Sequence, residues 1–213
     1  MLDCASVIGD EFTPDTIQEI TGLERLQLLK KLNRIERKYQ LIHSTNKKFR
    51  FDHSKIRELL YQEINPELRK EYHSMIAHQL EIQNRNISNE LLHQVAYHYS
   101  NSMNTQKAVP YLLKVGKRSE REFAVFEAIQ YYSQALELMK DCEEWVYQKI
   151  DILEALGNLY AINAEHEKAN ECYLKILAIT DDEIIKARVQ RKIRQKRIVE
   201  NNGVKLAYFI YGE

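Results

Sequence analysis

The 213-residue chain carries 31 basic and 31 acidic side chains, so its formal net charge is zero and no overall field draws it to nucleic acid or to a membrane. A mean hydropathy of -0.52 and the lack of a long apolar run leave no candidate for a transmembrane helix. Six glycines and three prolines favour long helices with short connections.

The N-terminal MLDCASVIGDEF has no basic n-region and no sustained apolar stretch, so it does not read as a secretory signal. Cys4, Cys142 and Cys172 are far apart and form no CxxC pair. Free, buried thiols in a cytoplasmic protein are the expectation.

LDCASVIG reads as a short apolar helix. Thr13-Pro14-Asp15 opens a second, with a hydroxyl N-cap, proline in the first turn and an acid on the helix dipole, and Thr21-Gly22 closes it. A third helix runs through ERLQLLKKLNRIERKY, its apolar positions Leu28, Leu32, Ile35 and Tyr39 recurring every three or four residues. Its opposite face carries Lys30, Lys31, Arg34, Arg37 and Lys38. In QLIHSTNKKFRFDH, two short runs flank the polar tip Thr45-Asn46-Lys47-Lys48, and Phe49 and Phe51 alternate with Arg50 and Asp52. That pattern predicts a β-hairpin. Three helices followed by a hairpin is the order of a winged helix.

From Ser54, an expected N-cap, the chain reads as helix almost to its end. Asn65-Pro66 starts a new helix, QNRNIS (83–88) is a loop, and Asn104-Thr105 and Asp141 mark later breaks. Helices with such short connections pack as antiparallel neighbours.

The second half repeats itself. Around Gly157 stand Leu153, Leu156, Tyr160, Ala169 and Tyr173, at offsets −4, −1, +3, +12 and +16. The same offsets from Gly116 give Leu112, Val115, Ser119, Ala128 and Tyr132; from Ala96 they give Leu92, Val95, Tyr99, Ala108 and Leu112. A small residue lets two helices approach, and a small-then-large pair on the next helix fills the gap. These spacings, with ANECYLKIL and AIQYYSQALEL, resemble tetratricopeptide (TPR) repeats. The frames are irregular: Ala108 to Ala128 is 20 residues and Ala128 to Ala169 is 41, against a family period of about 34. The helix around YLLKVGKRSER must therefore serve two pairs. The fold expected is mainly α: a winged-helix-like domain with one hairpin (1–64), a TPR-like α-solenoid of antiparallel helix hairpins (65–200), and a strand-like stub (201–213). A generic helical bundle is the alternative.

In that order, CASVIGDEFTPDTIQEITG, FRFDHSKIRELLYQEINPELRKEYHSMIAHQLE and HQVAYHYSNSMNTQKAVPYLLKVGKRS resemble the region that follows the nucleotide-binding core of STAND-type signalling ATPases, some of them associated with adenylate-cyclase domains. The resemblance covers about residues 2–180. It implies a winged helix packed on an ATPase core and a helical sensor arm. Nothing in the chain matches G-x-x-x-x-G-K-[ST], so nucleotide binding carries over to no residue, and no cofactor is expected. The last residues, VENNGVKLAYFIYGE, resemble the first strand of an α/β-hydrolase-type domain, with Val204, Leu206, Tyr208 and Ile210 on one face. A lone strand has no edge partner, so we expect the start of a further domain. A terminal strand docking on the rest of the chain is the alternative.

Seven histidines raise a metal site. His73/His78 and His93/His98 are each five apart, which sets the rings on different faces of a helix, and no metal is expected. Asp52-His53-Ser54 cannot form a relay between adjacent residues, and the carboxylate pairs Asp181-Asp182 and Glu143-Glu144 sit where helices begin. No enzyme is expected within the chain. In IIKARVQRKIRQKRIVE, Lys186, Arg188, Arg191, Lys192, Arg194, Lys196 and Arg197 crowd one segment. Either they are a solvated helix face or, with the cations of residues 30–37, a surface for phosphates or an acidic partner. The likeness to TPR arrays implies a concave peptide groove lined by His93, Tyr97, Asp151, Glu154 and Asn158.

The reading is a non-catalytic regulatory and protein-interaction module, the sensor-scaffold segment of a multidomain signalling ATPase. Its expected partners are a protein or peptide on the repeats and an ATPase domain of the same polypeptide, with nucleic acid and membrane not expected. A stand-alone TPR-type adaptor and a winged-helix DNA-binding regulator are the alternatives.

Overall fold

The computed structural model describes residues 1–83, 89–140, 143–194, 198–201 and 204–207. Among them the chain is mainly helical, with eleven α-helices and two small sheets. It divides into two compact units, Met1–Val115 and Gly116–Glu213.

The first unit begins with α1 (Leu2–Ile8), β1 (Glu11–Phe12), α2 (Pro14–Thr21) and α3 (Arg25–Tyr39). Thr13 caps α2 by accepting from the Thr16 N–H at 3.1 Å, and Gly22, in the left-handed region at φ 66, stops it. The hairpin β2 (Ile42–Thr45) and β3 (Lys48–Phe51) follows, closed by a turn in which Asn46 takes a positive φ of 55. β1 joins β3 on its other edge, so the sheet order is β1-β3-β2, all antiparallel. Sequence pattern does not reveal β1, because two residues make no alternation. Its anchor is Phe12, buried against Phe49 and Phe51 with ring centroids 6.0 and 5.4 Å away. Phe12 and Phe51 join Ala5, Ile17, Leu28, Leu32 and Ile42 in one apolar core.

The unit continues through α4 (Ser54–Glu63), α5 (Pro66–Gln83), α6 (Asn89–Ser100) and the start of α7 (Thr105–Arg121). Ser54 is the first helical residue rather than the N-cap, a place taken by His53. The Asn65 side chain instead caps α5, accepting from the Glu67 N–H at 3.0 Å. Helices α4 and α5 pack back on α1, and α5 also on α2. Cys4, Val7, Ile20, Ile64 and Ile76 form a second core there, so the first unit extends well past residue 64.

The second unit holds the end of α7, then α8 (Val125–Leu138), a 3-10 turn (Glu143–Trp145), α9 (Val146–Ile162), α10 (His166–Ile179) and α11 (Glu183–Arg194). Neighbours in sequence pack together: α8 on α9, α9 on α10 and α10 on α11. Asp182 caps α11 by accepting from the Ile184 N–H at 2.8 Å. The expected breaks at 84–88 and Asp141 lie outside the described residues, as do Cys142, Lys196, Arg197, Tyr208 and Ile210.

At the C-terminal side the expectation of a strand without a partner is corrected. β5 (Val204–Ala207) pairs antiparallel with β4 (Ile198–Asn201), in the register Ile198↔Ala207 to Asn201↔Val204. Residues 198–200, expected to end the helical segment, are strand. The β-branched Ile198 and Val199 suit an extended backbone better than a helix end does.

Candidate interaction surfaces

The helix pairs of the second unit are built on two glycine–tyrosine contacts. A Cβ placed on Gly157 in α9 would lie 2.5 Å from Cε1 of Tyr173 in α10. One placed on Gly116 in α7 would lie 2.7 Å from the same atom of Tyr132 in α8. Both rings are buried, and each occupies the space that a side chain on the glycine would otherwise fill. The turns match as well. Phe123 and Ala164, 41 residues apart, both take the left-handed conformation, at φ 59 and 61. In each turn the following N–H donates back across the helix end at 2.8 Å, Ala124 to the Ser119 carbonyl and Glu165 to the Tyr160 carbonyl. Ala128 and Ala169, fully buried, take equivalent places on the returning helices. The tyrosine hydroxyls end differently: Tyr132 donates to Glu120 Oε2 and Tyr173 to Asn158 Oδ1, each at 2.9 Å.

Of the residues expected to line a groove in this unit, Asp151 is exposed and the other two are engaged internally. Glu154 accepts Arg188 at 2.8 Å and Lys192 at 2.7 Å, two α11 cations one helical turn apart. Asn158 Oδ1 also accepts from Lys192 Nζ at 2.9 Å. Val189, between the two cations, is fully buried. Part of the basic segment therefore fastens α11 to α9. Arg191 is exposed, and the Arg194 side chain is not among those described.

In the first unit, His93 is half-buried on α6, while Tyr97 is 51% exposed. Beside Tyr97 lies a pair that sequence spacing hides. The rings of His73 on α5 and His98 on α6 are buried, with their Nδ1 atoms 2.9 Å apart, and Tyr61 on α4 reaches His73 Nε2 at 3.0 Å. One ring must donate and the other accept, so the two cannot both be protonated. Burial pushes His73 down to about 4, helped by the Arg69 charge, and burial with His73 alongside pushes His98 down to about 3. The two are 25 residues apart, so no local spacing could have paired them. Among the described residues no cluster of three or more metal-ligating side chains exists.

A few residues away, Glu81 collects Tyr99 and Tyr111 hydroxyls at 2.7 and 2.8 Å and Lys107 Nζ at 2.9 Å, tying α5 to α6 and α7. Burial works to raise this carboxyl, but the three hydrogen bonds outweigh it and hold it at about 2. Burial likewise pushes the Cys4 thiol up to about 12, which makes it unreactive packing rather than a nucleophile.

On α3, Lys30, Lys31, Arg34 and Arg37 are all exposed, and none makes an ion pair or hydrogen bond with a described residue. The one carboxylate within α3, Glu36, is turned to the hairpin, where it accepts from the Ser44 N–H at 2.6 Å and the Ser44 hydroxyl at 2.8 Å. No helix among the described residues is long and apolar enough to cross a membrane. Comparison with family models, with curated proteins and with solved structures finds no match to this chain.

Proposed function

We propose that the chain is a non-catalytic regulatory and protein-interaction module, a winged-helix-like domain followed by TPR-like helical hairpins. The observation that carries this reading is the duplicated hairpin: Gly116–Tyr132 with the Phe123 turn, and Gly157–Tyr173 with the Ala164 turn. A unit that recurs with its close approach and its turn intact is how solenoids build an extended surface from local contacts. The order α1-β1-α2-α3-β2-β3, with β3 central in the sheet, supports the winged-helix part.

In this reading the module sits in a larger signalling ATPase, where the N-terminal domain rests on the nucleotide-binding core. A protein or peptide held by the repeats shifts the balance between packed and released arrangements. It does so only as far as it binds the two with different affinity. In the second unit Glu154 and Asn158 hold α11, which leaves Asp151 exposed to a partner. In the first unit Tyr97 packs edge-on against His73 and His98 and keeps half of its surface exposed.

The test is recovery of partners from source cells on the parent chain and on Tyr97→Ala and Asp151→Ala variants with matched thermal melts. Loss of one stoichiometric partner from either variant is expected. Equal recovery of every partner on all three proteins sinks the groove assignment.

A further inference from the structure

The charges of this neutral chain are unevenly settled. In the first unit Arg25 pairs with Asp15, Lys48 with Glu11, Arg57 with Asp10 and Lys55 with Glu58. Between them in sequence, Lys30, Lys31, Arg34 and Arg37 stand exposed with no partner among the described residues. At 3.6 residues per turn, Leu26, Lys30, Arg34 and Arg37 fall within an arc of about 80° on the side of α3 opposite the buried Leu28 and Leu32. Lys31 and Lys38 lie together on one side of that arc. Lys30 with Arg34, and Arg34 with Arg37, are like charges at the spacings where they oppose a helix. No described carboxylate pairs with these cations, and Glu36 on the same helix accepts from Ser44 instead.

We infer that this face of α3 is a docking surface for an acidic protein helix, one with carboxylates spaced to meet Lys30, Arg34 and Arg37 and an apolar side chain to cover Leu26. Two observations favour protein over a nucleic-acid duplex. Leu26 is 55% exposed at one end of the cationic row, and an apolar side chain gains nothing from a phosphate backbone. The chain as a whole is neutral, so it lacks the basic field that supplies most non-specific nucleic-acid affinity. A row of cations ending in an apolar contact matches a protein interface, in which arginines and an apolar centre carry the binding. The inference rests on the first unit alone and does not need the repeats.

The probe is a labelled helical peptide of about 15 residues, the length of α3, with glutamates at i, i+4 and i+7 and one leucine a turn away. It is titrated by fluorescence anisotropy against the full chain, beside a scrambled isomer of equal charge and a mixed-sequence duplex of about 20 base pairs. Saturable binding is expected for the patterned peptide only. Lys30→Glu with Arg34→Glu weakens it at least about tenfold, and Leu26→Ala about threefold. A probe with lysines in place of its glutamates then binds the charge-reversed chain, which separates lost complementarity from lost folding. Tighter binding of the duplex assigns the face to phosphates and overturns the inference. Equal binding of the scrambled isomer, no binding of the patterned peptide, or indifference to the α3 substitutions also overturns it.

Discussion

The two units share charged clusters, Glu81 with Lys107 in the first and Glu154 with Arg188 and Lys192 in the second, but differ in the contact at the centre of their helix packing. In the first, α4, α5 and α6 meet on a buried, uncharged contact, the His73–His98 pair with Tyr61 at its end. In the second, the helix pairs close on ring-against-backbone contacts at Gly116 and Gly157, and the ion pairs of Glu154 with Arg188 and Lys192 are partly open to water. A neutral histidine pair is sensitive to protons and insensitive to salt. A glycine–tyrosine contact is indifferent to both and intolerant of a single methyl group. The comparison predicts that pH and point mutations will separate the units.

The largest effect is expected from acid. His73 and His98 are held below the ordinary histidine value of 6.5, at about 4 and about 3, so the unfolded chain takes up protons before the folded one. Their contribution is whole above pH 6.5 and falls as pH drops toward 4. One excluded proton over that interval amounts to roughly 3 kcal/mol. Glu81, held down at about 2, adds a loss of its own only below about pH 4.5. The single tryptophan, Trp145, lies in the second unit and reports on it alone. Helical ellipticity should therefore fall between pH 6 and 4 while Trp145 emission stays constant. Simultaneous loss of both signals would mean that the units do not respond separately.

Next in size is Gly157→Ala. Its methyl would meet the edge of the buried Tyr173 ring at 2.5 Å, and the ring, hydrogen-bonded to Asn158, has little freedom to retreat. Overpacking of this kind costs about 1–3 kcal/mol. Gly116→Ala should cost somewhat less, since its contact with Tyr132 is 2.7 Å. Denaturant titration followed by Trp145 emission measures both. A cost below about 0.5 kcal/mol at either glycine would break the equivalence of the two hairpins.

Much of this was legible in the sequence because it is local. The offset of sixteen between each glycine and its tyrosine, the Thr13-Pro14 start of α2 and the phenylalanine alternation in β3 each state a geometry within one or two elements. What stayed hidden depends on tertiary register. His73 meets His98 across 25 residues, β1 owes its existence to Phe12 finding Phe49 and Phe51, and the run at 204 finds its partner at 198. The candidate surfaces divide in the same way. Residue type marked both α3 and α11 as basic, but only the packed helices show that Glu154 pairs with Arg188 and Lys192 while Lys30, Lys31, Arg34 and Arg37 have no ion-pair partner among the described residues.

Removing the Glu154 charge sharpens the comparison from the side of the second unit. Glu154→Gln leaves Arg188 and Lys192 without a counter-charge, but Arg188 is half exposed and can rehydrate, so the cost should be about 1–2 kcal/mol. The parent should lose more stability than the variant between low and moderate salt, because the other ion pairs of the unit are screened alike in both and only the parent has the Glu154 cluster to screen. Equal salt dependence in the two proteins would show that the cluster contributes no net attraction.

The smallest effect has the opposite sign. Phe123 holds a left-handed backbone at φ 59 while its ring is 90% exposed, so the turn bears the strain of a Cβ and gains no packing in return. For an L-residue that conformation costs about 1–2 kcal/mol, and glycine returns part of the gain as unfolded-state entropy. Phe123→Gly should stabilise the second unit by about 0.5–1 kcal/mol, and Ala164→Gly, with the same backbone at φ 61, by a similar amount. Matching gains would mean that the two turns are held by backbone geometry alone, as their equal return hydrogen bonds of 2.8 Å imply. A loss at Phe123 beside a gain at Ala164 would mean that the ring makes a contact that Ala164 lacks, and the two hairpins would then differ at the one place where their backbones coincide most closely.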